Sequence, residues 1–285
     1  MKNKLTIIAA FLVVQLSHAQ TVQNALLWKL EGKDIETSYI LGTMHVLCDA
    51  SLTPNVEKAL YATDVVVLEI DMDSPTLQTE MMQGIMLPEG ESISKYLTVE
   101  ESKTLDEYLN TQIKMQLSMV DKMVPLMVES LLIPSMLDCP MQSIENNLMA
   151  HAQREEEEVM GLEAVQDQFN AFNEIPLKEQ VLSLLKKAYD NGKLDKAVFK
   201  RMQDAYMKHD LNALMLIMKE ESSNFMENSN ALLDNRNQKW IPRILSIAQK
   251  QSAFYGVGAA HLAGERGVIN LLRTQGYVLT PILAD

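Results

Sequence analysis

Two histidines in matching sequence contexts are the side chains best suited to chemistry in this chain. His45 ends the segment GTMH (residues 42–45), and His261 ends the segment GAAH (residues 258–261). Each segment follows a predicted strand and precedes a predicted helix. The glycine allows a sharp turn and a close approach of the backbone to a ligand. One Gly-x-x-His is a weak signal, whereas two copies in the same context favour a shared site.

Two glutamates occupy comparable positions. Glu69 ends the run VVVLE and Glu163 ends the run VMGLE, both of which are predicted strands. Ligands bind beyond the carboxyl ends of strands in an α/β sheet, so two histidines and two glutamates would converge there if the strands are neighbours. Such nitrogen and oxygen donors suit zinc, manganese, cobalt or iron, which would polarise a carbonyl and activate water. Without a metal, the same groups would form a His/Glu acid–base set.

No competing catalytic template is found. His151 and His209 lie in polar helical stretches and are predicted to be on the surface. The sequence has no His-Glu-x-x-His, Gly-x-Ser-x-Gly, P-loop or Cys-x-x-Cys pattern, so the usual zinc-protease and serine-hydrolase interpretations lack support.

The elements that must position these residues lie at both ends of the chain. Strands are predicted at residues 25–31, 37–42, 64–69, 159–163, 252–257 and 277–282. Residues 76–250 are predicted to be mostly helical, with the short strand near 159–163 included. One long helix is predicted at 225–249, with a kink at Pro242, and another at 264–274. We therefore expect an α/β (α+β) fold in which the N- and C-terminal parts form one central sheet and the helical middle forms a cap.

Methionine is dense in the helical part, and the chain contains 19 methionines. The methionine side chain is flexible and polarizable, so it adapts to irregular surfaces. The pattern fits either an adaptable groove for apolar or peptide ligands or the filling of a helical core.

The first residues have the pattern of a secretory signal peptide. Lys2 and Lys4 precede an apolar run at 5–16, and small residues follow up to Ala19. The run is shorter than the roughly 20 residues of a membrane span. We expect residues 1–19 to be removed near Ala19 and residues 20–285 to form one domain. The location would be periplasmic or secreted, with no transmembrane segment after cleavage.

The net charge limits the classes of partner that we expect, and the cysteine content predicts a disulfide. The formal net charge of -13 repels phosphate backbones, so nucleic acid is not expected as a partner. We expect a peptide or a small-molecule substrate instead. Cys48 and Cys139 are an even pair, which in an exported protein indicates a disulfide. Two buried thiols, or metal ligation by Cys48 near His45, are the alternatives.

Several segments, taken in order, resemble the TraB/GumN family, which is related to the Tiki proteins and more distantly to the erythromycin-esterase and ChaN-like group. The segments are SYILGTMH (38–45), VVVLE (65–69), 143–152, 161–163, 166–168, LLDNRNQKW (232–240) and 257–276. The resemblance covers about residues 27–282. It is carried by the ordered set of segments, which is more specific than any one of them.

The resemblance implies a metal-dependent hydrolase, and for Tiki-like members hydrolysis of peptide bonds. The catalytic residues that it implies are His45, Glu69, Glu163, His261, Arg236 and Asn237. The implied ligands of a divalent metal are His45, Glu69, Glu145, Glu163 and His261. Glu145 stands where many members have aspartate. Arg236 would bind a substrate carboxylate or an oxyanion, or would form an ion pair between cap and sheet. A non-catalytic envelope protein that binds haem, iron or another ligand is the alternative function.

Overall fold

A six-stranded mixed sheet forms the centre of the computed structural model, which describes residues 24–221 and 230–283. The strands are β1 (Leu27–Glu31), β2 (Ser38–Thr43), β3 (Val65–Leu68), β4 (Glu158–Gly161), β5 (Ala253–Gly258) and β6 (Val278–Ile282). Their spatial order is β4-β3-β5-β2-β1-β6. The predicted central sheet, built from both ends of the chain, is confirmed. The predicted signal peptide at residues 1–19 lies outside the described residues.

Four of the strands run parallel and end at the same edge. β2 pairs in parallel with β5, with Thr43 opposite Gly258, and β5 pairs in parallel with β3. β3 also pairs in parallel with β4, with Leu68 opposite Gly161. All four residues of β3 are buried, as expected for a parallel strand covered on both faces. The loops that carry the candidate site residues therefore leave the sheet side by side.

Helices cover the sheet and form the middle of the chain. They are α1 (Pro54–Leu60), α2 (Leu77–Ile85), α3 (Val99–Ile113), α4 (Leu117–Val120), α5 (Pro125–Leu132), α6 (Ile144–Glu155), α7 (Val165–Asn173), α8 (Leu177–Tyr189), α9 (Lys193–Met207), α10 (Leu211–Glu221), α11 (Asn235–Ala248) and α12 (Val268–Thr274). A π-helical turn, Asn230–Asp234, precedes α11. Within the described ranges, none of these helices is long and apolar enough to cross a membrane.

Two predicted helices differ from the observed ones at their boundaries. The helix predicted at 264–274 begins at Val268, because Gly264 adopts a φ of 86° and Gly267 is the N-cap. Residues 225–229 of the helix predicted at 225–249 lie outside the described residues. Its described part includes Pro242 within α11.

The buried apolar side chains form two clusters. The larger one packs both faces of the sheet and contains the fully buried residues Trp28, Trp240, Tyr255 and Phe254. The smaller one lies among α3, α4, α5 and α8 and includes Leu105, Leu109, Val128, Leu132, Val181 and Leu184. The helical middle of the chain therefore has an apolar core of its own beside the sheet.

The prediction that His151 lies on the surface is wrong. Its side chain is buried on the inner face of α6, together with Ile144, Leu148 and Ala152. Its ring contacts that of Tyr61 edge-on, with 4.9 Å between centroids. The spacing of these four residues places them on one helix face, although the sequence around them is polar. His209 is half-buried rather than fully exposed.

Cys48 and Cys139 form a disulfide, as predicted. The two alternatives, free thiols and metal ligation by Cys48, are therefore wrong. The disulfide joins the segment after β2 to the segment before α6. Main-chain pairing between Leu47 and Gln142 and a hydrogen bond from the side chain of Asn147 to the carbonyl of Ala50 join the same segments. Both segments are thus held against each other at several points.

Replacing both cysteines by serine is expected to lower the free energy of unfolding. The disulfide spans 91 residues, and closing a loop of that length contributes up to about 4–5 kcal/mol through the entropy of the unfolded chain. Urea unfolding of the Cys48→Ser/Cys139→Ser variant and of the oxidised wild type measures the difference. A reductant should destabilise the wild type and leave the double variant unchanged.

Candidate functional site

A cavity of about 730 Å³ opens at the edge where the parallel strands end. Its polar wall includes His45, Glu69, Glu145, Gln168, Arg236 and His261. Much of the remaining wall is methionine and aliphatic side chains. The residues predicted from the two Gly-x-x-His segments and from Glu69 therefore face one cavity, whereas Glu163 and Asn237 lie behind its surface.

Arg236, on α11, is at the centre of a buried charged cluster. Its Nε and Nη2 donate to Glu163 at 2.6–3.2 Å, and Nη2 also donates to Glu69 Oε2 at 2.6 Å. Its Nη1 donates to the carbonyl of Leu232 at 3.0 Å and to His261 Nε2 at 3.2 Å. A guanidinium has five N–H groups, and these partners engage all of them. Arg236 consequently has no donor left over for a substrate in this arrangement.

Trp240 completes the coordination of Glu163 and covers the cluster. Its indole N–H donates to Glu163 Oε2 at 2.9 Å. The guanidinium of Arg236 lies 4.8 Å from the centre of the indole ring, and the ring of His261 lies 4.4 Å from it. Arg236 and Trp240 are four residues apart on α11, so they share one helix face. This face of α11 excludes water from the charges below it.

The ring of His261 has one orientation and one protonation state. Its Nδ1 lies 2.6 Å from Asn237 Oδ1, and the amide nitrogen of Asn237 donates to the carbonyl of Arg266 at 2.9 Å. Because the guanidinium can only donate, Nε2 must accept and Nδ1 must carry the proton. Burial lowers the pKa of His261 to about 3, with Glu69 opposing and Arg236 reinforcing the shift. His261 is therefore neutral at physiological pH.

Glu69 is held as a carboxylate. Its Oε1 accepts the backbone N–H of Gly258 at 2.8 Å, and its Oε2 accepts Gln168 Nε2 at 3.2 Å as well as Arg236. Burial alone would raise the pKa of Glu69, but the positive charge of Arg236 and the N–H of Gly258 hold it below its ordinary value. A Cβ at Gly258 would lie 3.2 Å from Glu69 Oε1, so the missing side chain permits this contact.

His45 and Glu145 form a separate pair at the mouth of the cavity. His45 Nδ1 lies 2.8 Å from Glu145 Oε1, and the hydroxyl of Ser143 donates to Glu145 Oε2 at 2.7 Å. The ring of His45 is 66% exposed, whereas the carboxylate of Glu145 is 8% exposed. The contact with Glu145 raises the pKa of His45 to about 9. Glu145 also lies in the first turn of α6, where the helix dipole favours negative charge.

The five residues predicted as metal ligands do not fit a metal site as they are arranged. Within the described ranges, no group of three or more His, Cys, Asp or Glu side chains could hold an ion in the observed arrangement. Glu163 and His261 Nε2 are engaged by Arg236, and Glu145 is engaged by His45. The structure thus divides the predicted set into a cluster around Arg236 and a pair at the cavity mouth.

Three residues of the site were not singled out from the sequence. Trp240 lies one helical turn after Arg236, and this spacing was the signal that could have identified it. Gln168 contacts Glu69 from α7, and Ser143 caps α6 and contacts Glu145. Gln168 and Ser143 lie in the segments 166–168 and 143–152, which carry the family resemblance, but the resemblance assigns them no role. Their contacts join segments that are distant in sequence or depend on a side-chain rotamer, so no sequence spacing indicates them.

The fold and the site describe an α/β protein with a charged, partly buried site at the carboxyl edge of its parallel strands. Residues 26–281 match the model of the TraB/PrgY/gumN family, and the chain belongs to that family. It is similar to Metalloprotease TIKI1 of Xenopus tropicalis, with 21% identity over 325 residues, and to TIKI2 of the same organism, with 22% over 328. These alignments cover 92% of this chain but only 62% and 60% of the relatives. No solved structure matches.

Replacing Glu145 by glutamine is expected to lower the pKa of His45 from about 9 towards its ordinary value of about 6.5. The neutral amide no longer stabilises the imidazolium, so the ring loses its proton at lower pH. NMR titration of the His45 ring in both proteins measures the shift. Glu155→Gln, at the other end of α6, is the matched control and should leave the titration unchanged. An unaltered His45 titration in Glu145→Gln would contradict the pairing.

Proposed function

We propose that this protein is a hydrolase that cleaves peptide bonds in apolar segments bound in the cavity, with His45 as the general base. The observation that carries the proposal is the His45–Glu145 pair, whose exposed ring faces a cavity with an apolar wall. The names of the Xenopus relatives, both metalloproteases, support the type of bond. The disulfide supports an exported location, periplasmic or secreted.

The wall of the cavity favours an apolar substrate. Methionines at five positions line it, namely Met44, Met72, Met141, Met202 and Met218. Thioether side chains adapt to ligands of different shape without strict geometric demands. Two side chains of the wall are cationic at neutral pH: Arg236 is already engaged by Glu69 and Glu163, and His45 is paired with Glu145. A neutral, apolar peptide segment therefore fits the cavity better than one with a free carboxylate.

His45 has the geometry of a general base held by a carboxylate. Because Nδ1 faces Glu145, Nε2 is the ring nitrogen left for a water molecule. On our proposal, Nε2 accepts the proton of that water as it attacks the substrate carbonyl, and Glu145 stabilises the imidazolium that forms. The imidazolium then returns the proton to the leaving amine as the C–N bond breaks. The reaction requires the neutral ring. Since the pKa of His45 is raised to about 9, the neutral fraction and the rate should increase as the pH rises towards that value.

The cluster around Arg236 is suited to positioning rather than proton transfer. Glu69 is a weak base because its pKa is lowered, and His261, with a pKa of about 3, is weak as well. On our proposal the cluster forms a rigid, negatively charged floor against which the scissile bond lies. Asn237 holds the ring of His261, and Glu163 holds the guanidinium of Arg236.

A metal-dependent form of the same hydrolysis, with manganese, cobalt, zinc or iron, is the second candidate. It is favoured by the names of the relatives and not by the side-chain arrangement. The two forms differ in their response to chelation. Activity that survives EDTA supports the His45–Glu145 reaction, and activity that is lost and then restored by one metal supports the metal-dependent form.

Hydrolysis of a mixed peptide library, followed by mass spectrometry, is expected to show cleavage within apolar segments. His45→Ala should reduce the rate by about 10²–10⁴-fold, the usual contribution of a general base. His209→Asn is the matched control and should retain full activity. His209 does not line the cavity, and asparagine tolerates its positive φ of 55°.

The pH dependence provides a second readout of the same assay. The rate of the wild type should rise with pH up to about 9, the pKa of His45, and Glu145→Gln should move this rise to lower pH. Equal rates in wild type and His45→Ala would contradict the proposal. Peptide or haem binding without any cleavage would support a non-catalytic ligand-binding protein instead.

A further inference from the structure

The atoms that surround Arg236 form the kind of ligand set that a divalent metal prefers. They are the carboxylates of Glu69 and Glu163 and the Nε2 of His261, and all are in direct contact with the guanidinium. Carboxylate oxygens and an unprotonated imidazole nitrogen together suit zinc, manganese, cobalt and iron. In this chain a side chain of the protein itself, Arg236, occupies the space between these ligands.

Two buried carboxylates require a compensating cation. Glu69 and Glu163 have side chains that are 12% and 4% exposed, so water contributes little to their solvation. The guanidinium is permanently charged, and its planar fork matches carboxylates. Neutral donors complete the arrangement: Gly258 N–H and Gln168 Nε2 for Glu69, and Trp240 Nε1 for Glu163. Both carboxylates are thereby stabilised without a second ion.

A metal could enter only by displacing Arg236. The guanidinium carbon lies 4.8 Å from the centre of the Trp240 ring, and the Arg236 side chain is 11% exposed. Displacement would leave a buried guanidinium without its carboxylates, and breaking a buried ion pair is strongly destabilising. It would also break the hydrogen bond that Arg236 Nη1 donates to His261 Nε2. The contacts of Arg236 therefore oppose uptake of a metal.

We propose that Arg236 is the resident cation of this cluster, so that Glu69, Glu163 and His261 bind no divalent metal while Arg236 is present. Removal of Arg236 exposes a latent divalent-metal site formed by the same three residues. The inference does not rest on the proposed hydrolase activity, because it concerns occupancy of the cluster and is measured without a substrate.

Titration with Co²⁺, whose visible absorption reports on its ligands, tests the first half of the proposal. The full-length chain is stripped with EDTA, dialysed and titrated as wild type, Glu69→Gln and His261→Ala. Circular dichroism confirms that each protein is folded. We expect the wild type to show no binding that depends on Glu69 or His261. Binding that persists in both Glu69→Gln and His261→Ala lies outside the cluster and agrees with the proposal; His45→Ala, titrated in the same way, shows whether the ion lies at the cavity mouth. Stoichiometric binding by wild type that is lost in both cluster variants would overturn it.

Arg236→Ala tests the second half as a gain of function. The variant should bind Co²⁺ at least about tenfold more tightly than wild type, in line with the preference of carboxylate and imidazole ligands for this ion. Co²⁺ should also raise its melting temperature and leave that of wild type unchanged. Arg236→Lys, which retains a cation, is the matched control and should not gain binding.

Folding of Arg236→Ala is measured first, since the variant leaves two buried carboxylates without a cation. A variant that folds only when Co²⁺ is added would support the latent site. A folded variant that binds Co²⁺ no better than wild type would overturn it. If the variant does not fold even with Co²⁺, the latent site is rejected, and the wild-type titration decides the first half alone.

Discussion

The hydrogen bonds and ion pairs made by the five N–H donors of Arg236 are the interactions on which the rest of the site depends. Two glutamates leave adjacent parallel strands at the same level, since the backbone N–H of Glu163 donates to the carbonyl of Glu69 at 2.9 Å. Their charges would repel each other in a buried place. The guanidinium of Arg236 removes that conflict and at the same time orients His261. Because Arg236, Asn237 and Trp240 all lie on α11, the docking of one helix determines the geometry of the whole cluster.

The pair at the cavity mouth is held by different means. His45 lies in a loop and its ring is largely exposed, so the loop itself must be restrained for the contact with Glu145 to persist. The disulfide Cys48–Cys139 and the pairing of Leu47 with Gln142 supply this restraint. The site thus combines a buried cluster of ion pairs with an exposed, titratable histidine. This division agrees with a reaction in which the floor positions a ligand and the mouth transfers protons, as we propose.

Much of the fold follows from local sequence patterns. The continuous apolar run of β3 predicts a strand buried on both faces, and the Thr98–Glu101 capping box predicts the start of α3, which the structure shows. The position of His151 could not be derived in this way, because its neighbours in sequence are polar and its burial depends on packing of α6 against the sheet. The start of α12 at Val268 does not follow from sequence either, since the positive φ of Gly264 is not encoded by apolar spacing.

For the site, the sequence by itself determined which residue types stand at strand ends, and hence that His45, Glu69, Glu163 and His261 belong to one edge of a sheet. It did not determine which side chain each of these residues pairs with. Only the tertiary structure decided that Arg236 engages Glu69, Glu163 and His261, while Glu145 engages His45. The physical reason is that strand position depends on local periodicity, whereas pairing of charges depends on distances between segments 73 to 167 residues apart along the chain.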